Sequence, residues 1–235
     1  MFWLIDSLQN LQDKFPRLLI YCTTIKDAAK VYNYVLEELP SCGQLIELYH
    51  SQTEDPKKEY IVNELQNSEG SLRILVSTSA LAMGIYAKGF NSVVVFGAQN
   101  SCSELVQEIG RVGRDHQPSV ALILYNSYHQ RLLDQEVKKF LGTNGFRRRC
   151  LLENFLEEKD VQNTLIGTHA CCDNCEQNCK CDNCKLLPIE KIIRSTSDAL
   201  EDRDTDSDKT EEYEISDHDS DNELHTQIYK VLILF

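Results

Sequence analysis

The sequence predicts an α/β protein: a mainly parallel sheet with helices on both faces, followed by a small helical zinc-binding module and a disordered acidic tail. Three observations carry that expectation. Five short apolar runs alternate with helix-like segments from Leu18 to about Phe140. Seven of the ten cysteines fall between Cys150 and Cys184. Thirteen acidic residues face only Arg203 and Lys209 between Ser195 and His225. The natural divisions are 1–140, 141–190 and 191–235.

The elements follow in order. RLLIYC (Arg17 to Cys22), after Pro16, is short and bounded like a buried strand. From Lys26 to Leu39, Ala28, Val31, Val35 and Leu39 fall at amphipathic-helix spacing. QLIELYH is strand-like again and Pro56 to Leu65 helical; RILVST, SVVVFG and VALILY complete the strands, with a helix across Cys102 to Gly110. Such alternation implies a parallel sheet covered on both faces, whose ligands gather beyond the carboxyl ends of the strands. TTIKD, YHSQT, STSALAMG and QEIGRVGRD all fall in or near those connections. After Phe140 come a turn, three consecutive arginines, a short helix over LLENFLEE and a cysteine-rich loop from His169 to Cys184. The final IYKVLILF has no physical account at this level.

Charge is segregated. The formal charge is −13, yet Ser195 to His225 alone holds −11, so the acidity describes the tail and not the folded part. That tail has almost nothing apolar to bury, so disorder is expected. The opening MFWLI is broken by Asp6, short of a secretory signal. IYKVLILF is too short to cross a bilayer, which needs about 20 apolar residues. An intracellular, reducing setting without a membrane partner is expected, and there clustered cysteines read as metal ligands.

In QEIGRVGRD (Gln107 to Asp115) two arginines stand three apart, each behind a glycine. Planar guanidinium forks beside small residues suit a close approach to phosphate; the plain alternative is a pair of surface arginines at a helix end. The order LLIYCTTIKDAA, LVSTSALAMGI, QEIGRVGRD resembles motifs IV, V and VI in the second motor domain of the RecQ family of DNA helicases, over about Arg17 to Cys184. The resemblance implies a RecA-like fold and a share in ATP-driven 3′-to-5′ unwinding of single-stranded or forked DNA. It further implies a nuclear location. On it, Arg114 is the arginine finger, Arg111 its neighbour facing the ATP phosphates, and Gln107 a coupling residue. Thr78 lies near the nucleic-acid backbone. A finger arginine places charge where the transferring phosphoryl group develops it, and is worth roughly a thousandfold in rate.

A nucleotide also needs a G-x-x-x-x-G-K-[ST] loop and an acidic magnesium motif, and the sequence has neither. The expectation is therefore half of a composite site, with ATP and Mg²⁺ bound only together with the first motor domain, and no activity alone. AMGIY stands where relatives read GMGID, so Ala82 and Tyr86 replace a glycine and an acid. FGAQN replaces a proline-containing turn, and His116 a glycine. These departures motivate a second reading, a non-enzymatic module that binds nucleic acid or protein. The acidic tail is a candidate surface for protein partners.

CDNC occurs at Cys172–Cys175 and again at Cys181–Cys184. Two C-x-x-C pairs can each clamp one edge of a tetrahedral zinc, and a closed thiolate set reads as structural. By resemblance, FRRRCLLENF opens the RecQ zinc module, giving Cys150 with Cys171 or Cys172, Cys181 and Cys184. Two alternatives remain open: Cys150, His169, Cys172 and Cys175, or the two C-x-x-C pairs alone. Arg147, Arg148 and Arg149 read either as a solvated helix start or as phosphate-backbone contacts, extended by Lys138 and Lys139.

Overall fold

The computed structural model describes residues 2–82, 87–113, 118–131, 133–164, 172–178 and 229–234. The chain opens with helix α1 (Phe2–Leu11), which the sequence reading did not assign. Strand β1 (Leu18–Cys22) leads into α2 (Ile25–Glu38), and β2 (Ile46–Tyr49) into α3 (Asp55–Gln66). Then follow β3 (Ile74–Ser77), a 3₁₀ turn at Ser79–Ala82, β4 (Ser92–Phe96), α4 (Cys102–Ile109) and β5 (Val120–Tyr125). Short helices complete this part: α5 (Ser127–Arg131), α6 (Gln135–Gly142), α7 (Arg147–Leu152), α8 (Glu158–Thr164) and α9 (Asp173–Asn178). Strand β6 (Tyr229–Leu234) comes last.

The sheet order is β2-β3-β1-β4-β5-β6. The first five strands pair in parallel, as the alternating apolar runs imply. Both faces are covered. Leu19 and Tyr21 of β1, Val93 and Val95 of β4, and Ala121 and Ile123 of β5 meet α3, α4, α6 and α7. Leu18, Ile20 and Cys22 of β1, with Val94 and Leu122, face α1 and α2 on the other side. Strand side chains alternate between faces, so a strand covered on both sides is apolar throughout.

Two findings revise the domain reading. The boundary at 140 falls inside α6, and Cys150 and Leu151 of α7 join the same core as the sheet. The segment read as a tail to residue 235 ends in a strand: β6 pairs antiparallel with β5, from Tyr125↔Tyr229 to Val120↔Leu234. Residues 195–225 lie outside the described residues.

At the amino end of the sheet, Arg17 is buried at the start of β1. Its Nε donates to Leu72 O (3.0 Å), Nη1 to Asn67 O (2.7 Å) and Lys88 O (2.8 Å), and Nη2 to Glu64 O (2.7 Å). The guanidinium also lies 4.3 Å from the centre of the Phe90 ring. One side chain thereby fixes the end of α3 and the turns that start β3 and β4. Burial, with Arg73 nearby, lowers its pKa to about 10, which leaves it charged at neutral pH.

Candidate functional site

The fold has a switch point at its middle strands. The connection leaving β1 enters α2 on one face, whereas the one leaving β4 enters α4 on the other. Their carboxyl ends diverge there and leave a crevice, the usual ligand position in open α/β sheets.

The residues at that edge are set by local chemistry. Thr24 caps α2: its Oγ1 accepts from the Asp27 N–H at 3.0 Å and donates to Asp27 Oδ2 at 2.6 Å. At the end of β3, Ser77 Oγ donates to Tyr49 O (2.9 Å), tying the β2 and β3 termini together. Thr78 is buried, and its N–H donates to the same carbonyl at 3.3 Å. Beyond β4, Gly97 sits at φ +82°, a conformation that L side chains rarely adopt. A Cβ there would meet His129 Nε2 at 3.3 Å and Thr23 Cγ2 at 3.4 Å.

Helix α4 carries the glycine–arginine stretch. Ser101 caps it, accepting from the Glu104 N–H at 3.3 Å, with an acid at the third helical position as in a capping box. Gln107 is exposed, while Glu108 is buried and accepts a 2.6 Å hydrogen bond from Gln99 Nε2 beyond β4. Burial pushes the Glu108 carboxyl up to about 7, against the opposing effect of that bond. Burial, then the charges of Asp27 and Glu108, raise the thiol of Cys22 at the end of β1. The end of α4 is thus held at the crevice between β1 and β4. Arg111 follows, buried, its N–H donating to Glu108 O at 3.2 Å. Gly113 then turns the chain at φ +71°. Arg114, His116, Tyr86 and the rest of AMGIY after Ala82 lie outside the described residues.

The three arginines of α7 go different ways, and Arg147 requires a correction. It is buried and grips Asp173 through two bonds, Nε–Oδ1 at 2.6 Å and Nη2–Oδ2 at 2.9 Å. It also donates to Phe140 O (3.2 Å) and Leu141 O (2.9 Å). Its donors join α6, α7 and α9 and are not turned to a phosphate. Arg149 pairs with Glu153 (3.0 Å) and Glu158 (2.9 Å), and Lys139 with Glu153 (3.7 Å), so acids of the same region answer much of the expected basic patch. Arg148 is half-buried.

The cysteines also sort differently from the first ligand set. Cys172 and Cys175 are buried with their sulfurs 3.2 Å apart, the short edge a C-x-x-C pair offers a metal. Cys150 lies instead in the sheet core, where Asn154 Nδ2 spans Cys150 O (3.0 Å) and Cys102 Sγ (3.7 Å). Burial raises both thiols, that of Cys102 to about 11. Cys150 therefore belongs to the apolar stripe of α7. Among the described residues no group of three metal-ligating side chains forms. His169, Cys171, Cys181 and Cys184 lie outside them.

Comparison with known proteins shows what this part of the chain is similar to. Residues 3–116 match the family model described as the helicase conserved C-terminal domain. The matched stretch is just under half of the chain, and over it the chain is similar to that family. Among similar proteins are the bifunctional 3′-5′ exonuclease/ATP-dependent helicase WRN of Mus musculus and the RecQ-like DNA helicase blm-1 of Caenorhabditis elegans. The first is 27% identical over 67% of this chain and 12% of its own length. The second is 26% identical over 75% of this chain and 20% of its own. The chain thus spans a fifth or less of these two relatives. A solved structure, the Mss116p DEAD-box helicase domain 2 bound to an RNA duplex, aligns at a TM-score of 0.46 and 14% identity. It covers 68% of this chain and 59% of that one. Near the end of α4, Glu108 lies at the carboxyl edge of the sheet, bonded to Gln99 beyond β4.

Proposed function

We propose that the chain supplies the second motor half of a RecQ-like, ATP-dependent DNA helicase. The observation that carries this reading is the Gln99–Glu108 hydrogen bond, which holds the end of α4, and Arg111 with it, at the switch-point crevice. In this reading Arg111 and Arg114 contact a nucleotide presented by a facing phosphate-loop domain, which also brings the Mg²⁺. Arg114 acts as the finger and Arg111 as a second phosphate contact. Thr78 and the capped turn at Thr24 offer short polar groups on the same edge for the backbone of single-stranded DNA. The similarity to WRN and to the RecQ-like relative supports the DNA-directed reading.

In this reading the Cys172–Cys175 pair is one edge of a structural zinc site whose other edge is the second pair, Cys181 and Cys184. The residues fit such an ion: two buried thiols at C-x-x-C spacing, close enough to share it.

The decisive test measures ATP hydrolysis. The purified chain hydrolyses no ATP, with or without single-stranded DNA. Joined to a phosphate-loop motor domain it does, and Arg114→Ala then lowers kcat about a thousandfold. DNA-stimulated hydrolysis by the chain alone overturns the composite-site reading. Metal analysis tests the zinc reading: one equivalent, lost in Cys172→Ser and retained in Cys150→Ser.

A further inference from the structure

We propose that the outer edge of β5 is a strand-addition site for an extended apolar peptide, and that the chain's own C-terminal strand fills it. The two edges of the five-stranded parallel core are built differently. β2, at one edge, is four residues long and carries Glu47, which Lys57 engages at 2.7 Å. A short strand with a charge is a usual guard against pairing with another chain. β5, at the other edge, is VALILY: six buried residues with no charge, no proline and no bulge. Left bare, it would present a row of unpaired backbone donors and acceptors beside an apolar surface.

β6 answers that edge along its whole length. Its register runs from Val120↔Leu234 to Tyr125↔Tyr229, so each β5 residue has a partner. The sequence YKVLIL is apolar apart from Lys230 and rich in residues that favour strands. The strand also runs beside α9, so it touches the folded part on a second element. Fifty residues separate Asn178 from Tyr229. The strand is therefore not a hairpin partner locked to β5 by a tight turn, but a segment delivered from a distance. Affinity at such an edge comes from main-chain hydrogen bonds, and selectivity from alternate side chains. The recognised chemistry is an antiparallel apolar hexapeptide. Covalent attachment gives the resident strand the advantage over a free one.

The test uses a labelled synthetic peptide of residues 226–235 and a chain ending at residue 225. The shortened chain binds the peptide saturably, the full chain binds it at least tenfold more weakly, and a peptide carrying Leu232→Pro does not bind. Amide exchange at residues 120–125 speeds up in the shortened chain and slows again on adding peptide. Equal peptide binding by both chains, or unchanged exchange at 120–125 after truncation, overturns the proposal. Should the shortened chain not fold, exchange in the full chain decides. Residues 229–234 must exchange as slowly as 120–125, and exchange at the rate of an unstructured peptide overturns it.

Discussion

At the amino end of the sheet a buried arginine has all three nitrogens bonded, whereas at the carboxyl end a buried glutamate has one oxygen bonded and the other without a partner among the described residues. Arg17 gathers four backbone carbonyls and an aromatic face. Glu108 takes one bond from Gln99, and its Oε2 is buried and unmatched. A fully satisfied buried polar group stabilises the fold; a partly satisfied one costs stability and is retained where a site needs it. The two ends of one sheet thus divide the labour, one holding the strands and the other holding α4 against the crevice.

The largest effect expected is at the amino end. Arg17→Met leaves four carbonyls without their donor and should lower unfolding free energy by about 4 kcal/mol in urea titrations. If such a variant, where folded, also lost nucleic-acid binding, the division between the ends would fail. Next comes Glu108. Its folded carboxyl titrates near 7 and an unfolded one near 4.5, so the folded state keeps the proton longer. Stability therefore falls as pH rises through that window and levels off above about 7. Glu108→Gln keeps an acceptor for Gln99 and removes this slope, raising stability at pH 8 by roughly 2 kcal/mol; chemical denaturation across pH checks it. Gly97→Ala forces a side chain into positive φ beside His129, and should cost about 1–2 kcal/mol by thermal or urea melting. Smallest is Arg149→Ala, which breaks two exposed ion pairs and should change stability by less than about 1 kcal/mol. A larger loss would make the α7–α8 surface part of the stabilising framework.

How far the sequence foretold this depends on the range of the forces involved. The five parallel strands were legible because each is a short apolar run, and α2 because Ala28, Val31 and Val35 repeat at helical spacing. Helix α1 was missed because Asp6 breaks the apolar run MFWLI in the sequence; in the helix it lies on the exposed side, while Trp3, Leu4 and Leu8 are buried. Nothing local marks Arg17, whose partners lie 47 to 71 residues away. β6 was opaque for the same reason, since its partner strand ends at Tyr125. Arg111 was singled out from its neighbours in the sequence, whereas Glu108 close to it passed unnoticed. Cys150 is different: Arg147, Cys150 and Leu151 fall at i, i+3 and i+4, and that spacing already marked one buried stripe of α7. The pull of a metal-ligand pattern hid it.

Asp173 stands between Cys172 and Cys175 in the chain, and its carboxylate is the one that Arg147 grips. The docking of α9 and the state of those two thiols are therefore one equilibrium seen from two sides. Whatever binds the sulfurs in the docked geometry adds its binding free energy to the hold on Arg147, and through it to the ends of α6 and α7. Conversely, loss of Arg147 should weaken such binding by the same factor. The bridge lets the cysteine-bearing helix be felt in the hydrophobic core without entering it.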